Sequence, residues 1–105
     1  MSETRTEVPA WLGVLGEEDL CFLKRFLLAS GSLKALASDY GVSYPTVRSR
    51  LDRLIAKVRE ADDPTLTDPF ERHLRVLVAD GKLTAALARE LGEAHRAARE
   101  QEGRR

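Results

Sequence analysis

The most constraining feature of this chain is a spacing. Ala37, Gly41 and Val47 stand four and then six residues apart, with Ser43 and Pro45 between the last two. A small residue lets two helices cross closely, and a glycine permits the positive φ of a tight turn. Ser43 can cap a new helix whose first turn accepts Pro45, because the N–H that proline lacks has no helical partner there anyway. Val47 then reaches back into the core. Leu33, Leu36, Val42 and Leu51 supply apolar surroundings. Together these residues predict a helix-turn-helix, with helices over 33–40 and from 44 to about 59.

The second of those helices is informative when read at 100° per residue. Val47, Leu51, Leu54, Ile55 and Val58 form one apolar stripe. Thr46, Ser49 and Arg53 lie nearly opposite, with Arg48 and Arg50 on the flanks. Between Ser43 and Arg59 there are five basic residues, Lys57 among them, and a single acid, Asp52, a local charge of +4. Short polar groups and an arginine suit base edges, and flanking cations suit phosphates. The start of such a helix meets bases most often, which adds Ser43 and Tyr44. The predicted contacts to double-stranded DNA are therefore Ser43, Tyr44, Thr46, Arg48, Ser49, Arg50, Arg53 and Lys57. Charge alone would equally suit an ordinary amphipathic helix; the turn spacing favours the groove-inserted one.

The remaining elements are also helical. β-branched residues are few and do not alternate with polar ones. Glu17-Glu18-Asp19 opens a helix to about Ala29 at the end where a helix dipole favours acids, with Leu20, Leu23, Phe26 and Leu27 expected on its buried face. Ser30-Gly31-Ser32 stops it and caps the next. Asp68-Pro69 starts a helix to about Asp80 with Phe70, Leu74, Leu77 and Val78 on one side, and Thr84 to about Arg99 makes the last. The fold class expected is all-α: a three-helix helix-turn-helix domain over 10–60, then a C-terminal helical hairpin over 68–99 that could serve oligomerisation. Residues 1–9 are expected to be disordered and 100–105 frayed. Leu54, Ile55 and Val58 extend far enough to pack on the hairpin or on a second chain.

Other chemistry finds little support. Cys21 is alone and flanked by apolar residues, so a buried thiol is expected; neither a disulfide nor a zinc site can be built from it. His73 and His95 stand isolated on helices, no nucleophile motif or phosphate loop is present, and no cofactor or metal is expected. There is no apolar run of membrane-spanning length and no secretory signal, so a cytoplasmic protein that is not an enzyme is expected. The formal net charge of zero, from 17 basic and 17 acidic side chains, makes any affinity for DNA local to one helix.

The stretch Gly31-Ser32-Leu33-Lys34 with Tyr40-Gly41-Val42-Ser43-Tyr44-Pro45-Thr46-Val47-Arg48 through Leu54 resembles a family of short uncharacterised bacterial proteins, a domain of unknown function. Members look like a zinc ribbon followed by a helix-turn-helix containing "GVSYPTVR". Without CxxC pairs, this chain lacks the ribbon and whatever it does. Thr46 to Leu51 is also similar to the recognition helix of sigma-factor region four. Leu74, Leu77, Gly81, Leu83, Leu87 and Leu91 resemble the short C-terminal hairpin (SHOCT-like) of many bacterial proteins. The resemblance implies this fold and DNA binding; a transcriptional regulator is expected, and, because one such module covers a single half-site, a homodimer. The alternative is an adaptor with the same fold that binds the transcription machinery.

Overall fold

The computed structural model describes residues 8–104, and among them every regular element is helical. A short α1 (Ala10–Gly13) leads into α2 (Glu17–Leu28), α3 (Leu33–Tyr40), the long α4 (Tyr44–Ala61), α5 (Pro69–Ala79) and α6 (Ala85–Gly103). The expected disordered segment, 1–9, lies almost wholly outside the described residues. None of the described helices is long and apolar enough to cross a membrane.

Local chemistry sets the boundaries. Ser32, Ser43, Asp68 and Thr84 each accept a hydrogen bond from a backbone N–H in the first turn of the helix they precede, at 2.9–3.3 Å. These side chains satisfy donors that a helix start otherwise leaves unpaired. At the other ends, α3 and α5 close by the same device. Gly41 and Gly81 take φ of 68° and 77°, and the residues after them, Val42 and Lys82, donate back to Ala37 and Leu77 at 3.0 and 2.9 Å. α2 ends likewise, with Ser30 at φ 55° and the Gly31 N–H bonded to Phe26 O. The last helix runs on to Gly103, through the residues where fraying is expected.

α4 is the hub. α1, α3 and α5 all pack against it, while α6 packs on α5. The main core joins Leu15, Phe22, Leu36, Ala37, Val47 and Leu54, with Val58 and Leu51 partly buried against it. Leu54 and Val58 thus belong to the helix-turn-helix core, the same helix also packs along α5 of the hairpin as expected, and Ile55 stays exposed. Ala37 at the crossing is buried, as a close approach of α3 to α4 requires.

The face of α2 differs from expectation. Phe22 is 1% exposed and Leu23 and Phe26 pack on the core, but Leu20 is 43% and Leu27 68% exposed. The buried arc is centred on Phe22, and at 100° per residue Leu20 and Leu27 fall outside it. Cys21 turns outward for the same reason and is exposed, not buried. A run of apolar residues on both sides of α2 hid the true inner face.

α5 has two inner faces. Val76 and Leu74 are both buried although they lie on opposite sides of the helix, as suits an element sandwiched between α4 and α6. Leu74 approaches α6 at Gly92, where a side chain's Cβ would stand 3.8 Å from Leu74 Cδ1. A clasp at the open end completes the hairpin. Asp68 caps α5 and also accepts from His95 Nε2 at 2.8 Å and Arg99 Nη1 at 2.7 Å, both on α6. His95 is therefore not isolated. The His95 hydrogen bond, opposed by desolvation and helped by the Phe70 N–H and Arg99, holds the Asp68 carboxyl down at about 2. A depressed carboxylate stabilises the fold above its unfolded pKa, and that contribution is lost as pH falls through the folded value. Acid titration from about pH 4 towards 2 is expected to loosen α6 from α5 first, seen as shifts of the His95 and Arg99 resonances. In Asp68→Asn that loosening is present at neutral pH, so the difference in melting temperature from the parent should shrink across the same window.

Candidate nucleic-acid interface

Ser43 and Pro45 set the entry of α4, and Val47, Leu51, Leu54 and Val58 fix its rotation against the core. The outward face that results carries Tyr44, Ser49 and Arg53, all exposed, with Arg48 on one edge. Ser49 makes no side-chain hydrogen bond and Arg53 no ion pair among the described residues. Both are available to an incoming ligand. The other predicted contacts carry prior engagements. Ser43 Oγ accepts from the Thr46 N–H at 3.3 Å and lies 2.8 Å from Thr46 Oγ1, so both hydroxyls belong to the helix cap. Arg48 pairs with Asp52 one turn on at 3.3 Å, an exposed contact weak enough for a phosphate to displace.

Arg50 and Lys57 depart from the expected arrangement. The Arg50 guanidinium lies 5.1 Å from the centroid of the Phe22 ring and 5.9 Å from that of Tyr40, and it donates to Glu18 O at 3.5 Å. It covers the aromatic part of the core, with Arg25 over Tyr40 at 4.8 Å. Cation–π contact of this kind restrains the side chain. Lys57 is 6% exposed. Its ammonium is paired with Asp19 on α2 and stands 3.6 Å from Asp80 at the end of α5. A buried ammonium between two carboxylates joins three helices, and its charge is already paired. The angular position of Lys57, between the apolar stripe and the polar face, allowed either reading.

The polar side of α4 does not stand alone. Beside it a cleft of about 1040 Å³ opens, with Thr46, Ser49, Arg50 and Arg53 on one wall, and with Glu17 and Glu18 at the start of α2 and Asp80 and Lys82 at the end of α5 around it. The cations of α4 thus face a partly acidic rim. The sequence displays those acids openly at the start of α2, but nothing local tells that they return to the side of α4.

No curated protein and no solved structure matches the chain significantly. The model of a family described as "Domain of unknown function (DUF2089)-HTH" does match, over residues 15–60. That span holds α2, α3 and nearly all of α4, so the helix-turn-helix built here is similar to the one that defines a family of unknown function.

Proposed function

We propose that the chain is a sequence-specific double-stranded DNA-binding regulator of transcription that lays the start of α4 in the major groove. The observation that carries this reading is the outward face of α4, where Ser49 and Arg53 stand uncommitted on a helix-turn-helix frame, with Tyr44 and Arg48 beside them. Ser49 and Arg53 have the reach and donor groups to read base edges; Arg48 and the Tyr44 hydroxyl suit the phosphates on the groove walls. Ser43 and Thr46 support them by holding the helix start. One such module covers a single half-site, so a homodimer belongs to the same reading. The surface we assign to it is the hairpin, where Phe70, Leu87 and Leu91 remain exposed.

Selection from a random pool of duplexes should recover a recurring sequence, and Arg53→Ala should weaken binding to it by about 1–3 kcal/mol while relaxing preference at one position. Binding should also fall steeply with salt as counterions are released. Sedimentation should show a dimer on DNA. A flat salt response, with Arg53→Ala without effect, would discard the reading.

The acidic rim of the cleft beside α4 favours a second reading, an adaptor that docks a partly basic segment of the transcription machinery. In that case no sequence emerges from the pool, and substitution of Glu17 and Glu18 abolishes partner binding.

A further inference from the structure

A second cavity, of about 750 Å³, opens where the last two turns of α4, the outer side of α5 and the first half of α6 meet. Its lining gathers four arginines from three helices, Arg59, Arg75, Arg89 and Arg96, with Glu60 and Glu71. The two acids are already neutralised. Arg75 Nη1 pairs with Glu60 at 3.0 Å and Arg96 Nη1 with Glu71 at 2.9 Å. Arg59 and Arg89 have no ion-pair partner among the described residues, so the groove keeps two positive charges. Four guanidinium groups from separate elements would repel one another unless something offsets them, and only two acids are at hand.

The position of this groove says what could enter it. Ala56, in its lining, lies seven residues beyond Ser49 on the same face of α4, roughly 10 Å along the axis, and Arg59 lies about three turns beyond Arg48. The edge of α4 that carries Arg48 and Ser49 therefore continues through Ala56 and Arg59 to the groove, while Arg53 lines the first cleft, on a different face of α5. A small free anion would gain little from exposed arginines in water. A polyanion already held along α4 gains more, since each phosphate neutralised releases counterions. We propose that the groove takes backbone phosphate of the same duplex that α4 reads, with Arg59 and Arg89 as the contacts, so that the C-terminal hairpin is part of the DNA interface. This rests on the reading of α4 given above.

The test is the salt dependence of binding to a random-sequence duplex, followed by fluorescence anisotropy for the parent, for Arg53→Ala and for an Arg59→Gln/Arg89→Gln double variant. Both arginines are exposed, so the double variant should melt with the parent. It should lower the slope of log K against log salt by about 1.8, roughly 0.9 for each phosphate no longer neutralised, and weaken binding to all sequences equally. If Arg53→Ala weakens binding but the double variant keeps the parent's slope, the groove is not on DNA although α4 is. If the parent binds no duplex, both readings fall. Saturation of the groove by inorganic phosphate, seen in the Arg59 and Arg89 resonances, with DNA binding indifferent to the double variant, would make it a small-anion site and overturn the proposal.

Discussion

Lys57→Met should destabilise the fold by about 3 kcal/mol, lowering the melting temperature by roughly 12 °C or more. Methionine keeps the unbranched stem and its packing but removes the ammonium. Asp19 and Asp80 are then left facing each other across a site only partly open to water, with side chains 21% and 14% exposed. Breaking a buried pair by removing one partner costs about 3–5 kcal/mol, because the remaining charge is left without compensation. The residual access of both carboxylates to solvent, and the Lys82 ammonium that still stands 3.2 Å from Asp80, place the expected loss at the lower end. Asp80→Asn should cost less, since Asp19 still holds Lys57 and the Lys82 ammonium, 3.2 Å from Asp80, is merely released. Thermal melts followed by circular dichroism give the stability. DNA titrations at temperatures where both proteins are folded give the second readout. A Lys57 buried in this way leaves the salt slope unchanged on substitution, whereas a phosphate-binding lysine would lower the slope and spare the melting temperature.

That contrast bears on what the chain reveals before it is folded. The helix-turn-helix was legible because its signals are local: Ser43, Pro45 and Gly41 act within a few residues of where they stand, and each does in the structure what its chemistry dictates. The caps at Ser32 and Asp68 were legible for the same reason. What stayed hidden is non-local. Lys57 and Asp19 are 38 residues apart, and Asp68 and His95 27. Nothing in periodicity reports which side of one helix another will cover. Arg50 shows this for the candidate site. Its place at the flank of α4 is as read from the sequence, but the aromatic rings that draw its guanidinium over the core come from α2 and α3. The polar face left for a ligand is accordingly narrower than charge patterning suggests, and it is centred on Ser49 and Arg53.

The separation of inner from outer face on α2 supplies the other large effect. Phe22→Ala should cost about 3–5 kcal/mol, the range for deleting a buried aromatic side chain. Phe22 is, with Leu36, one of the two largest fully buried side chains, and it stacks on Tyr40 with ring centroids 6.2 Å apart. The cavity it leaves sits where α2, α3 and α4 meet. Arg50 loses the ring beneath it in the same step, which removes a cation–π interaction and frees its guanidinium to move. Leu27→Ala deletes a residue that also fits an apolar helical pattern, but Leu27 is 68% exposed and its loss should stay within about 0.5 kcal/mol. Urea denaturation of the two variants decides the matter, because both proteins unfold from the same helix and differ only in which face is cut. Equal losses would mean that α2 presents both faces to partners; a larger loss from Leu27 would mean that α2 is rotated from the orientation described. The expected order, with Phe22 costing several-fold more, fixes α2 in the orientation that also sets Glu17 and Glu18 beside the polar side of α4.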